Sequence, residues 1–167
     1  YYWSPFTSKV ATIKAVLNSA FGLKKYFKID TKIIDSIGEW SFYQKDLKKR
    51  KIKTIKILKN SYNKKNNEGY FNSRIQYLKI FITSFFPLVN LLKKEKPQYL
   101  VAHLITSLPM IIFIIFNFQT KLILRVSGFP RINMFRSILW KLANKKIFIV
   151  TVPTIDTYKY LYKKNIF

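Results

Sequence analysis

Short runs of bulky β-branched and aromatic residues alternate along this chain with longer stretches of helical period, and no other feature constrains the fold as much. Residues 1–3 look like the tail of a strand. Residues 9–27 read as a helix carrying Ile13, Val16, Leu17 and Ala20 at helical spacing, with Ser8 as its N-cap. A β-type run at 28–35, a short helix at 41–50 and a Lys/Ile/Thr strand at 51–58 follow. A long helix is expected over 72–94, bent at Pro87. Strands at 98–104, 120–126 and 147–152 then alternate with helices at 107–117, 131–144 and 155–164. In the 131–144 helix Ile132, Phe135, Ile138, Leu139 and Leu142 share one face. This order indicates βαβ units: an α/β domain over 1–167 with a mostly parallel sheet and helices on both faces.

Composition removes several chemistries. There is no Cys and a single His, His103, which excludes disulfides, a thiolate nucleophile and a zinc site. G-x-G-x-x-G, G-x-x-x-x-G-K-[ST] and G-x-S-x-G are all absent, disfavouring a dinucleotide fingerprint, a P-loop and a nucleophile elbow. No carboxylate cluster is spaced to hold Mg²⁺, so no metal is expected. The 31 Lys+Arg against 7 Asp+Glu give a net charge of +24. Alongside so much Ile, Asn, Phe and Tyr, this is the mixture an AT-rich genome writes at surface positions, so only clustering is informative. Ten cations against Asp46 crowd residues 43–65, from Lys45 through Arg50 to Lys59, Lys64 and Lys65, with Tyr62, Tyr70 and Phe71 beside or within them. A solvated surface, an anionic bilayer and nucleic acid remain open as readings.

Residues 108–116 are apolar but about half the roughly 20 residues of a spanning helix. Residues 78–92 are interrupted by Lys79, Pro87 and Asn90. Both read as core helices. No signal peptide is legible at the start. The opening at Tyr1 without Met and the apolar end at Phe167 suggest a piece of a longer protein.

In an open α/β sheet, ligands bind at the carboxyl ends of the strands, near helix N-termini. Candidate residues gather there. Thr7, Ser8 and Lys9 open a helix whose amides suit a phosphate, or simply cap it. His103 is either a hydrogen-bonded strand-end histidine or a ligand contact on the face of Tyr99 and Val101. Arg125, late in an apolar strand, requires a counter-ion: a salt bridge to Glu39 or Asp35 is expected, with a bound anion as the alternative. Glu39 and Trp40 follow Gly38, and a packing role for the Trp competes with a sugar contact. Ser127, Gly128 and Thr154 sit in later loops of the same rim.

Taken in order, these loops resemble the N-terminal half of a GT-B-fold glycosyltransferase of the family 4 type. The likeness spans essentially the whole chain. It rests on Ser4-Pro5 with Thr7-Ser8-Lys9-Val10; on Ile34-Asp35 with Gly38-Glu39-Trp40; on residues 96–103, ending in Ala102-His103; on residues 124–130, containing Arg125-Val126-Ser127-Gly128; and on Pro153-Thr154. It departs from the family at Thr7-Ser8, where members often carry a Gly-Gly pair, and at Ser127-Gly128, where many carry a His.

The resemblance implies a Rossmann-like acceptor-side domain whose donor-binding counterpart is not in this sequence. It further implies metal-independent, retaining transfer from a nucleotide-sugar to a glycan or lipid-linked acceptor, with no other cofactor. His103 is then the catalytic-cleft residue. Thr7, Ser8, Lys9, Ser127 and Gly128 lie on the donor-phosphate side, and Glu39, Arg125 and Thr154 on the acceptor side. The expected setting is the cytoplasm, peripheral on the inner face of the cell membrane, with nucleic acid disfavoured as a partner. The rival readings are a basic nucleic-acid-binding domain and a membrane-embedded fragment.

Overall fold

A computed structural model of the chain describes residues 1–8, 10–58 and 70–166. Six strands form one all-parallel sheet: β1 (Tyr2–Trp3), β2 (Lys32–Asp35), β3 (Lys53–Lys56), β4 (Tyr99–Ala102), β5 (Lys121–Arg125) and β6 (Ile147–Thr151), in the order β3-β2-β1-β4-β5-β6. The helices are α1 (Thr12–Phe27), α2 (Gln44–Lys49), α3 (Tyr70–Glu95), α4 (Ser107–Ile115), α5 (Met134–Asn144) and α6 (Ile155–Lys163), with a 3₁₀ turn at Glu39–Tyr43. This is the Rossmann-like arrangement: the chain builds outward from β1 to β3, crosses back through α3, and builds the other way from β4.

Successive strand residues point to opposite faces, so the sheet separates two cores. On one side Trp3, Ile34, Leu100, Ala102, Leu122 and Leu124 pack against Ile80, Leu88 and Leu92 of α3, Met110 and Ile112 of α4, and Trp140 of α5. On the other, Tyr2 and Ile33 pack against Ile13, Val16, Leu17 and Ala20 of α1, with Phe6, Trp40 and Leu47. The α1 stripe is therefore the core face its periodicity indicates.

Two expectations change. Helix α1 starts at Thr12, and its N-cap is Ala11 in helical conformation without a side-chain cap, so Ser8 does not cap it. Ser8 and Thr7 instead sit in a bend that carries the chain from β1 to the helix. In α5 the core face is Trp140 and Ala143, with Leu139 half-buried, whereas Phe135, Ile138 and Leu142 point outward. The stripe has helical spacing, but spacing does not say which side of the helix meets the sheet. Strand β6 is an edge strand, and Phe148 and Ile149 remain exposed at its bulge against β5. Its apolar run resembles that of a central strand because bulky residues favour any strand position.

Lys9, Lys59, Tyr62, Lys64 and Lys65 lie outside the described residues. The described part of the basic segment forms α2 and β3, with its lysines largely at the surface.

Two leucines separate buried from exposed packing. Leu100→Ala, beneath three helices, should cost about 2–5 kcal/mol. Leu142→Ala on the outer side of α5 should stay within about 0.5 kcal/mol. Urea-denaturation midpoints measure both, and similar losses would contradict the orientation of α5.

Candidate functional site

The strand order reverses between β1 and β4, where connections leave the carboxyl ends in opposite directions, the place at which open α/β sheets bind ligands. The two strands pair in parallel with Trp3 opposite Ala102, and the His103 amide donates to the Trp3 carbonyl at 2.9 Å. That bond fixes His103 at the end of β4, beside Ser4 at the end of β1.

The His103 side chain is 3% exposed, yet neither ring nitrogen has a hydrogen-bond partner among the described residues. Its closest aromatic neighbour is Tyr2, with ring centroids 5.9 Å apart. Burial, followed by the positive charge of Arg125, lowers its pKa to about 4. At neutral pH it is an uncharged imidazole with one donor and one acceptor free. The sequence alternative of a hydrogen-bonded strand-end histidine does not hold for the ring: only its backbone is bonded.

The same is true of its surroundings. Eight buried side-chain atoms lack a partner among the described residues, and six belong to Ser4, Asp35, Ser36, Trp40 and His103. These residues leave the carboxyl ends of β1, β2 and β4, three neighbouring strands. Leaving a buried polar group unbonded costs roughly 1–3 kcal/mol, so such a concentration at one rim calls for a cause. At the opposite end of the sheet Tyr1 donates to Glu95 at 2.8 Å and Lys32 lies 3.5 Å from the same carboxylate, while the Thr120 hydroxyl before β5 is a single buried unpaired atom.

Arg125 ends β5 half-buried, and its charge reaches both Tyr2 and His103. The expected bridge to Glu39 or Asp35 is not formed; the ion pair among the described residues is Lys32–Glu95. Its would-be partners face each other instead. Gly38, at φ 86°, turns the chain after β2 so that Glu39 folds back over the loop. There Glu39 accepts from the Ser36 amide at 3.2 Å and the Ile37 amide at 2.7 Å. Asp35 accepts from the Trp40 amide at 3.4 Å. Burial, then the adjacent Asp35 carboxyl, raises the Glu39 pKa to about 8. At neutral pH Glu39 therefore keeps its proton and is no counter-ion for Arg125. That proton is a role the sequence does not disclose, since only the fold brings the two carboxyls together.

Trp40 packs as expected, edge-on to Phe6 at 5.2 Å, but its indole N–H is unpartnered. The remaining candidates are more peripheral. Thr154 caps α6, accepting from the Thr157 amide at 3.2 Å. Ser8, Ser127 and Gly128 are exposed, and Thr7 is half-buried. A Cβ on Gly128 would meet open space, so nothing there demands a glycine. Ser4 and Ser36 carry buried, unpaired hydroxyls that residue type alone does not mark out in a sequence rich in polar loops. Among the described residues no three His, Asp or Glu side chains gather to hold a metal.

Two cavities lie elsewhere. One, of about 110 Å³, is apolar and sits between β6 and α6; the other, of about 320 Å³, opens at the amino ends of β5 and β6. Neither is lined by the rim residues. No family model, curated protein or solved structure matches the chain.

The carboxyl pair and the histidine make opposite predictions for stability against pH. Glu39 holds its proton in the native state up to about pH 8 but releases it near 4.5 when unfolded, so its contribution is lost as pH rises between those values. His103 binds a proton more weakly when folded than when unfolded. Its contribution is present above about 6.5 and lost as pH falls through about 4. The two oppose each other up to about pH 6.5, so the Glu39 contribution is read between about 6.5 and 8, where the melting temperature of Glu39→Gln should fall less with pH than that of the wild type, even where the variant lowers overall stability. An unchanged slope in the variant would remove the retained proton from the account.

Proposed function

We propose that the chain forms the acceptor-side half of a sugar-transfer crevice in a protein that moves a sugar from a nucleotide-sugar to a glycan or lipid-linked acceptor. One observation carries this reading: buried, unpartnered donors and acceptors follow the carboxyl ends of three adjacent strands, two of which flank the point where the sheet order reverses. A ligand dense in hydroxyls would pair the Ser4 and Ser36 hydroxyls, the Trp40 indole N–H and both nitrogens of a neutral His103. An apolar ligand would leave them unsatisfied.

The chemistry needs no protein nucleophile. The acceptor hydroxyl oxygen bonds to the anomeric carbon as the bond from that carbon to the diphosphate breaks. The diphosphate leaves with the electron pair and takes up the acceptor's proton. Negative charge grows on the leaving group, and Arg125, with no carboxylate partner among the described residues, is a cation whose charge reaches His103 and would offset it. A neutral His103 holds a hydroxyl by hydrogen bonding rather than by removing its proton, because a base of pKa about 4 is weak at neutral pH. The order of the rim motifs supports the family 4 resemblance, which supplies the donor-binding half that this reading requires.

In the protein carrying both halves, His103→Ala should lower kcat/KM by roughly tenfold or more, whereas Gly128→Ala should stay within about twofold. Both are assayed by transfer from a panel of nucleotide-sugars. Wild-type turnover in His103→Ala would exclude the crevice as the reaction site. Tight binding of a single-stranded oligonucleotide that weakens steeply and linearly in log–log salt plots would favour the nucleic-acid reading instead.

A further inference from the structure

Helices α3, α4 and α5 form one layer over the sheet, with α4 packed against both neighbours. The inner side of this layer is core. Its outer side is unexpectedly apolar. On α3, Ile75, Leu78, Ile82 and Phe86 recur at steps of three and four residues and are 53%, 59%, 64% and 68% exposed. On α5, Phe135, Ile138 and Leu142 do the same, and Phe135 is 78% exposed. Ile115 of α4 is exposed between them, and Phe85 of α3 approaches Phe116 at the end of α4, with ring centroids 6.4 Å apart. Lone exposed apolar residues are ordinary, but aligned stripes on adjoining helices are not.

The charges around this face identify what covers it. Lys79, Lys93 and Lys94 on α3, and Arg136 and Lys141 on α5, are exposed. In the described parts of these three helices Glu95 is the one acid, and it is engaged by Tyr1 and Lys32. Two copies of a chain carrying +24 would repel each other across such a surface, whereas an anionic lipid surface attracts it. Residues Ile75–Glu95 are long and apolar enough to cross a bilayer, but Ile80, Ser84, Leu88 and Leu92 of that stretch are buried in the protein core. The helix therefore lies along an interface rather than through it.

We propose that the outer face of the α3–α4–α5 layer docks flat on an anionic lipid bilayer, with its apolar stripes at the acyl boundary and its cations among the headgroups. This stands whether or not the rim transfers sugar. It assigns the membrane contact to this layer rather than to the basic segment of α2 and β3.

Co-sedimentation with vesicles tests it directly. Binding to equal parts phosphatidylcholine and phosphatidylglycerol should be at least about tenfold tighter than to phosphatidylcholine alone. Ile82→Glu with Phe86→Glu should weaken it by about tenfold or more. Tyr26→Glu with Phe27→Glu, the same charge change at exposed positions of α1 on the other side of the sheet, should leave it within about twofold. Tryptophan emission from Phe86→Trp should shift to the blue on binding and be quenched by brominated acyl chains. That readout requires no destabilising change. Equal loss from both double variants, or no quenching, overturns the proposal. So does a dimer in sedimentation that the Ile82/Phe86 pair abolishes, or retention in the membrane pellet after carbonate extraction.

Discussion

Two residues hold the sheet's halves together. Tyr2 and Trp3 pair with Ile33 and Ile34 on one side and with Val101 and Ala102 on the other. Their side chains point to opposite cores, so this shortest of strands is also the junction of both hydrophobic clusters. The Trp3 carbonyl then receives the His103 amide, which ends β4 beside the end of β1. Without that junction the strand order would not reverse there. The position of every rim residue follows from it.

Unpaired buried polar atoms are more numerous at the rim than at the opposite end of the sheet, where Thr120 carries one. At the amino ends Tyr1, Lys32 and Glu95 satisfy one another. At the carboxyl ends the fold buries hydroxyls, an indole N–H and an imidazole without pairing them. Folding alone gains nothing from that arrangement, because apolar residues of similar shape would avoid the penalty. Asp35 and Glu39 fit the same pattern, since two carboxyls held close in a buried loop keep a proton that water would remove. The cost is offset by two large apolar clusters beneath, which is how a domain can sustain locally unfavourable polar groups where a ligand would complete them.

Strand identity and order of elements were legible because β-branched runs and helical stripes have different periods. The placement of His103 on the face of Tyr99 and Val101 followed from strand alternation in the same way. Orientation was less legible. Phe135, Ile138 and Leu142 have the spacing of a core stripe, and only the position of Trp140 and Ala143 against the sheet shows that they face away. The start of α1 was misplaced because Thr7 and Ser8 are good capping residues, whereas the loop from β1 needs them to span a bend. Arg125 is not paired with Glu39 or Asp35; the turn at Gly38 folds Glu39 onto the Ser36 and Ile37 amides beside Asp35, a geometry that residue types along the chain do not encode.

The single histidine allows a direct measurement of the rim. Ring ¹⁵N shifts of His103 followed against pH carry no overlap from other imidazoles. A buried, unpartnered ring beside Arg125 should stay neutral through the physiological range, with a midpoint at about pH 4. A midpoint near 6.5 would mean a ring open to water or paired with a carboxylate, and the buried, unpaired rim at the reversal point would not exist as described.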